Sequence, residues 1–215
     1  MLFGADPPKG EELMEKNFRC ELISWRRVYL LTRKLALMIK GDNFQPDVIV
    51  AIARGGYVPA RILCDFLDVN TLASIRIEHY LPGAKKQQMA RLTDPLSIDI
   101  KGKNVLVVDE VNDTGDTLEV ADRHLKEFLP KDVRVAVLDH KLTSDFHPEY
   151  FSHTIVKWRW LIYPWAVMED IGSLLAKIDS QPSTVEEAAS AFLETYRCKL
   201  PRQLLEDLFA KMKKE

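Results

Sequence analysis

The sequence predicts an α/β fold in which a parallel sheet is flanked by helices. Three short apolar runs rich in β-branched residues have the length and composition of buried strands: 48–52, 104–109 and 133–138. Segments with helical spacing of apolar residues lie between them, at 59–67 and 118–129. Strands that alternate with helices along a chain form parallel sheets, because each crossover helix returns the chain to the same edge.

Further helices and strands are predicted before, between and after these segments. Ser24 is a suitable cap for a helix that runs to Gly41. Strands are also predicted over 72–77 and 154–162. The polar stretch 78–103 is long for a connection within one domain, so it predicts a flexible loop, or hood, or a hairpin that leaves the domain.

After about residue 172 the alternation of strands and helices stops, and only helices are predicted. We assign 1–172 to the main domain, with an N-terminal tail or helix over 1–23, and 173–215 to a short C-terminal helical extension. In that extension Ser183 and Glu186 have the spacing of a capping box ahead of a first helix. Its apolar positions and those of a second helix need a surface to cover.

Bulk composition narrows the function classes. The net charge of −2 argues against nucleic acid or an acidic membrane as a partner. Cys20, Cys64 and Cys198 lie far apart and predict reduced thiols. No secretory signal is recognisable, and no apolar run approaches the roughly 20 residues of a spanning helix. We therefore expect a cytoplasmic protein.

The segment 105–118, VLVVDEVNDTGDTL, carries the clearest chemistry. A buried strand leads into two acids, Asp109 and Glu110, and then into a loop that opens a helix. Loops at the carboxyl ends of parallel strands form ligand sites, and N–H groups at a helix start bind phosphate. The alternative is an ordinary loop whose Asp and Thr residues only cap the helix, although such a loop has no need of two adjacent carboxylates.

This stretch resembles the phosphoribosyl-diphosphate signature of the type I phosphoribosyltransferases. That signature has four apolar residues, two acids, two variable positions and then Asp/Ser-Thr-Gly-x-Thr. Two departures stand out: the acid pair is Asp-Glu, and Asp116 occupies a position often held by Gly or Lys. Because a carboxylate is unfavourable beside a phosphate, we expect the Asp116 side chain to face solvent.

The resemblance implies a type I phosphoribosyltransferase-like fold and specific roles. Asp109 and Glu110 would hold the ribose hydroxyls and a magnesium ion. Asp113 would act as general base near N7 of the acceptor and stabilise the cationic transition state, although it can also cap the following helix. The 5-phosphate would be bound by the loop residues Asp113, Thr114, Gly115, Asp116 and Thr117.

The turn Ala53-Arg54-Gly55-Gly56 resembles the diphosphate loop of the same family. There a cis peptide turns backbone N–H groups towards the leaving group, and Arg54 and Gly55 would contact it. Taken alone, the turn is equally a glycine-rich bend with a solvated arginine. Lys85, Lys86 and Arg91 could close over the diphosphate, or could be solvated loop residues.

The acceptor class follows from two later segments. Lys141 follows the fourth strand and would donate to a carbonyl oxygen of the base. Trp160 would stack on the base, and the carbonyl of Leu161 would read its edge. Together they resemble the 6-oxopurine members of the family, most closely the xanthine-guanine enzymes, over residues 45–166. At least one tryptophan of this region is expected in core packing, and Ala166 stands where the family often has an acid for a second magnesium.

The resemblance therefore implies transfer of a phosphoribosyl group to N9 of guanine, xanthine or hypoxanthine, with the choice among them left open. The products would be the nucleoside 5-monophosphate and diphosphate, as in purine salvage, and the enzyme would be a homo-oligomer, dimer or tetramer. The alternative is a regulator that senses 5-phosphoribosyl-1-diphosphate without transferase activity. An enzyme for adenine or a pyrimidine is a third reading, which Lys141 and Trp160 disfavour.

Overall fold

A computed structural model of the chain describes residues 18–80 and 89–212. Among these residues two compact units are present, one formed by 26–157 and the other by 18–25 together with 158–212. Each unit has its own hydrophobic core. No helix in the described part of the chain is both long and apolar enough to cross a membrane.

The elements follow one another in an alternating α/β order. The strands are β1 Cys20–Leu22, β2 Val48–Ala53, β3 Leu72–Tyr80, β4 Met89–Asp94, β5 Asn104–Asn112, β6 Asp132–Lys141, β7 Tyr150–Ile155 and β8 Trp160–Ile162. The helices are α1 Trp25–Gly41, α2 Tyr57–Leu67, α3 Asp116–Lys126, α4 Val167–Leu175, α5 Val185–Tyr196 and α6 Arg202–Met212.

A six-stranded sheet in the order β4-β3-β2-β5-β6-β7 forms the centre of the first unit. All its neighbouring strands are parallel except β3 and β4. The predicted α/β fold with a parallel sheet is therefore confirmed. β5 and β6 extend further than predicted, because their ladder continues to the pair Asn112 and His140.

The polar stretch 78–103, predicted as a loop or an excursion hairpin, contains the end of β3 and all of β4, and both strands belong to the central sheet. Arg91 lies on β4, where it pairs with Glu78. Residues 81–88 lie outside the described residues, and with them the two lysines that were expected to close over a diphosphate.

The single strand predicted over 154–162 is wrong. β7 ends at Ile155, which pairs with Lys141, the last residue of β6, so the main sheet offers no partner beyond that point. β8 instead pairs in parallel with β1, in a separate two-stranded sheet.

The second unit packs β1 and β8 against the three C-terminal helices. The predicted helices of the extension are present as α5 and α6, and Phe192 is completely buried between them and their neighbours. The residues of this core include Cys20, Ile162, Ile171, Leu174, Ala188, Phe192, Tyr196, Leu205 and Leu208.

Two features of this unit differ from expectation. The boundary predicted at residue 172 falls inside α4. Residues on both sides of it belong to one core, because Ile162 and Ile171 pack in the same cluster as Phe192. The cap of α5 is Thr184, not Ser183, because the Thr184 side chain accepts the backbone N–H of Glu187 at 3.2 Å. The sequence contains two overlapping matches to the capping pattern, and the second one forms.

Candidate active site

The two predicted substrate loops lie at the same edge of the central sheet. β2 and β5 are adjacent and parallel, with Val48 opposite Val105 and Ala51 opposite Val108. The turn after β2 and the loop after β5 therefore leave the sheet side by side, at the carboxyl ends of its strands.

The turn after β2 has the backbone that the family resemblance implies. The Ala53–Arg54 peptide is cis, which confirms that expectation. A side chain at Gly55 would overlap the carboxylate of Glu110, and one at Gly56 would overlap the carbonyl oxygen of Val108. Gly56 is therefore needed for this turn to pack on the backbone of β5, whereas a side chain at Gly55 would require the Glu110 carboxylate to move.

The acid pair Asp109 and Glu110, within β5 and near its end, lies against this turn. Asp109 is buried, and one of its oxygens accepts the backbone N–H of Glu110 at 2.9 Å. Burial raises the pKa of the Asp109 carboxyl well above its ordinary value, and the adjacent Glu110 adds to the shift. Sugar hydroxyls or a cation would stabilise such a pair of carboxylates.

The donor set fits magnesium bound together with substrate. Among the described residues no group of three or more His, Cys, Asp or Glu side chains could hold a metal. Magnesium commonly takes only one or two protein carboxylates and completes its shell with water and substrate oxygens. Asp109 and Glu110 match that mode.

The loop after β5 leads into α3 through Gly115, whose φ is 101°. A Cβ on Gly115 would lie 2.6 Å from the Cβ of Phe146 and 2.9 Å from Oγ of Ser144. The side chain of Asn112 fixes this packing, because its amide donates to the carbonyl of Phe146 at 2.7 Å and its oxygen accepts from Ser144 Oγ at 2.7 Å. Asn112 and Ser144 were missed by the sequence analysis, since nothing local links positions so far apart.

Asp116 is exposed, as expected, but it has a contact that was not predicted. Its carboxylate accepts the hydroxyl hydrogen of Thr114 at 3.1 Å. A hydroxyl of the predicted phosphate cradle is thus bonded to a carboxylate of the same loop. Thr117 follows in the first turn of α3 and is half-buried.

Asp113 and Lys141 are brought into direct contact. The ammonium of Lys141 donates to Oδ2 of Asp113 at 2.6 Å. The Lys141 side chain is only 4% exposed, whereas that of Asp113 is 37% exposed. Burial lowers the pKa of the Lys141 ammonium, and the carboxylates of Asp113 and Asp139 oppose that shift. An acceptor for a proton and a charged donor therefore lie side by side at the edge of the sheet.

Trp160 and Leu161 belong to the second unit, on β8. They pair with Cys20 and Glu21 of β1; Leu161 is buried and Trp160 half-buried. Within the described residues, the buried indole N–H of Trp160 has no hydrogen-bond partner.

The other two tryptophans that follow the first unit pack on aromatic neighbours. Trp158 makes an edge contact with Phe18 at 5.6 Å, and Trp165 stacks on Tyr163 at 5.0 Å between ring centroids. Packing of this kind is the alternative that the sequence analysis reserved for at least one of them.

The family comparison agrees with this arrangement. Residues 21–167 match the model of the phosphoribosyl transferase domain. The chain belongs to this family. The phosphoribosyltransferase assignment thus covers the central sheet and the strand β8.

Several relatives of this phosphoribosyltransferase carry purine names. Xanthine-guanine phosphoribosyltransferase of Ruegeria sp. (strain TM1040) is 30% identical over 159 residues, covering 70% of this chain and 86% of the relative. Hypoxanthine-guanine phosphoribosyltransferase of Saccharomyces cerevisiae is 28% identical over 189 residues, covering 67% of this chain and 85% of the relative. The crystal structure of a purine phosphoribosyltransferase from Pyrococcus horikoshii has a TM-score of 0.60 and 32% identity, covering 68% of this chain and 93% of that one.

Proposed function

We propose that this phosphoribosyltransferase transfers the 5-phosphoribosyl group of 5-phosphoribosyl-1-diphosphate to N9 of a 6-oxopurine. The products are the nucleoside 5-monophosphate and diphosphate, a purine salvage reaction. The observation that carries the proposal is the contact between Lys141 and Asp113, with 2.6 Å between Nζ and Oδ2.

The lysine and aspartate complement one edge of a 6-oxopurine. On that edge the carbonyl oxygen O6 is an acceptor, and the neighbouring N7 loses a proton when the glycosidic bond forms at N9. The Lys141 ammonium can donate to O6 while the neighbouring Asp113 carboxylate accepts from N7. Adenine presents an amino group in place of O6, so the same ammonium would meet a donor and binding would be weaker.

The purine names of the relatives support this acceptor class. Proteins named for hypoxanthine-guanine and xanthine-guanine transfer match two thirds or more of this chain. The relatives differ in the base they are named for, and guanine, hypoxanthine and xanthine all present O6 and N7.

The donor would bind at the edge formed by β2 and β5. Asp109 and Glu110 accept hydrogen bonds from the ribose hydroxyls, and the loop 113–117 gives backbone N–H groups to the 5-phosphate. The cis turn at Arg54 and Gly55 faces the diphosphate. Magnesium, held by Asp109 and Glu110, would supply positive charge to the diphosphate oxygens.

During transfer the bond from C1 of the ribose to the diphosphate breaks and the bond from C1 to N9 forms. The Asp113 carboxylate stabilises the cationic ribosyl group electrostatically and receives the N7 proton. Lys141 donates to O6, where negative charge grows as that proton leaves.

Further assignments complete the proposal. Trp160 stacks on a base, which contributes about 1–3 kcal/mol in comparable sites, and the carbonyl of Leu161 accepts from its edge. We also propose a cytoplasmic homo-oligomer, dimer or tetramer, that has neither nucleic acid nor a membrane as partner.

Product analysis tests the function. Purified protein, magnesium and 5-phosphoribosyl-1-diphosphate are incubated with guanine, hypoxanthine, xanthine, adenine or uracil, and nucleotides are separated by chromatography. Nucleoside monophosphate is expected with at least one 6-oxopurine and far less with adenine or uracil. Binding of the donor without product from any base would instead identify a regulator that senses the donor.

A further inference from the structure

Besides Asp113, a second carboxylate lies near Lys141 along β6 in the first unit. Asp139 is on β6, two residues before Lys141, and its side chain is completely buried. Side chains two apart on a strand point to the same face, about 7 Å from one another. Asp139 and Lys141 therefore share one face of the sheet.

Arg27 and His153 both contact the carboxylate of Asp139. Arg27 of α1 donates to Oδ1 of Asp139 at 3.2 Å, and Nδ1 of His153 lies 2.8 Å from the same oxygen. His153 is the cross-strand partner of Asp139 on β7, so the sheet register itself brings them together. Arg27 and His153 also approach each other at 3.4 Å.

A buried carboxylate at this position is costly unless it serves a nearby cation. Burial removes the hydration that stabilises an ionised acid in water, and an apolar residue would continue the strand without that loss. Arg27 supplies one such cation, 3.2 Å from Oδ1 of Asp139. Lys141 is a second cation on the same face of the strand, and its charged form is disfavoured by its own burial and favoured by Asp113 and Asp139.

The proposed reaction gives this second carboxylate an electrostatic function. When Asp113 takes up the N7 proton, it stops being an anion, and the buried ammonium of Lys141 loses its nearest counter-charge. At that moment negative charge is growing at O6, and the ammonium must remain protonated to stabilise it.

We propose that Asp139 is a positioning residue for the transfer: its carboxylate, held by Arg27 and His153, keeps the Lys141 ammonium charged and in place when Asp113 is neutralised. The inference rests on the proposed function for its catalytic meaning, whereas the electrostatic coupling of Asp139 to Lys141 is measurable in the protein without substrate.

The first test titrates Lys141 directly. The Nζ signal of Lys141 is followed by NMR against pH in the substrate-free protein, assigned with Lys141→Arg. Asp139→Asn is expected to lower the pKa of Lys141 by about one unit, because an anion that favours its charged form is removed. Asp132→Asn removes a carboxylate from the far end of the same strand and is expected to leave the titration unchanged.

Arg27→Gln gives an independent result if Asp139→Asn does not fold. It removes a cation that opposes Asp139 while the carboxylate stays, so the pKa of Lys141 is expected to rise. An unshifted pKa of Lys141 in Asp139→Asn would overturn the inference, and where that variant does not fold, an unshifted or lowered pKa in Arg27→Gln would overturn it.

The second test measures kcat/KM for the base from pH 6 to 10. In Asp139→Asn the alkaline limb is expected to move to lower pH, with about a tenfold loss at pH 9 and a smaller one at pH 6.5. KM for the donor is expected to stay within about twofold. A uniform loss across pH would assign Asp139 a structural role and overturn the inference.

These readouts separate the inference from the function on which it rests. An active transferase with an unshifted Lys141 overturns the role of Asp139 and leaves the function standing. A protein that makes no nucleotide but shows the shift overturns the proposed function, while the coupling of Asp139 to Lys141 holds.

Discussion

A Cβ added to Gly55 would overlap the carboxylate of Glu110, so Gly55 and the end of the Glu110 side chain are in direct contact. The turn after β2 therefore packs directly on the acid pair near the end of β5. In 5-phosphoribosyl-1-diphosphate the diphosphate is attached to C1 of the ribose, next to C2 of the diol. The turn proposed to bind the diphosphate and the acids proposed to bind the diol must therefore lie close together.

Gly55→Ala is therefore expected to displace the Glu110 carboxylate and to lower kcat/KM for the donor by about 10²-fold or more, the scale of a misplaced site. Steady-state kinetics with varied donor measures it. Gly41→Ala is the control, because a Cβ at Gly41 meets no atom within 4 Å. Equal kinetics for the two variants would contradict this account of the site.

Asp113→Asn is expected to lower turnover by roughly 10²–10⁴-fold, the usual contribution of a general base. The amide keeps the shape of the side chain beside Lys141, so binding of the donor is expected to change little. Turnover by stopped assay and donor affinity by calorimetry provide the two values. Unchanged turnover would leave Asp113 as a helix cap only.

Asp116→Ala is expected to raise affinity for the donor, by about three- to tenfold, since it removes an anion from a phosphate site and releases the Thr114 hydroxyl. Calorimetry with ribose 5-phosphate measures the effect without turnover. Glu119→Gln removes one negative charge from the same helix turn, where Glu119 pairs with Arg123. Equal gains in both variants would show that only net charge matters, not the contact with Thr114.

Lys141→Ala is expected to impair use of a 6-oxopurine far more than donor binding, because the ammonium is directed at the base. The comparison is KM for the base against the dissociation constant of the donor. Were donor binding abolished instead, the ammonium would belong to the sugar-diphosphate site.

Phe192→Ala is expected to destabilise the second unit by about 3–5 kcal/mol, the cost of truncating a fully buried aromatic side chain. Chemical denaturation followed by circular dichroism measures it. Leu193 is the adjacent control: it is 46% exposed, and Leu193→Ala is expected to cost less than about 1 kcal/mol. Similar losses in both variants would contradict the core assigned to α5.

The sequence predicted most of what is local. The segment 105–118 contains a strand, two acids, a loop and the start of a helix in one continuous stretch, so its local structure could be predicted from the sequence. The cis peptide before Arg54 followed from the family resemblance. Each of these depends on residues that are neighbours along the chain.

Features that depend on distant pairs could not be predicted. Asn112 reaches Ser144 and Phe146 across the turn into α3, and no local spacing indicates that tie. Alternation over 154–162 was consistent with one strand, but alternation does not reveal which strand will pair with it. Asp139 follows the predicted strand 133–138, and only the register with β7 shows that His153 lies opposite it.

The pairing of β1 with β8 has a consequence for the order of folding. Residues 18–25 leave the ribosome before any of the strands they need, and their partner follows only after the whole of the first unit has been made. Domains fold as units during synthesis, N-terminal parts first. The central sheet can therefore form before β1 has a partner. The pairing of β1 with β8 forms later, because all of the first unit lies between these two strands along the chain. Slow steps in refolding are expected in that pairing, because contacts between distant segments form late.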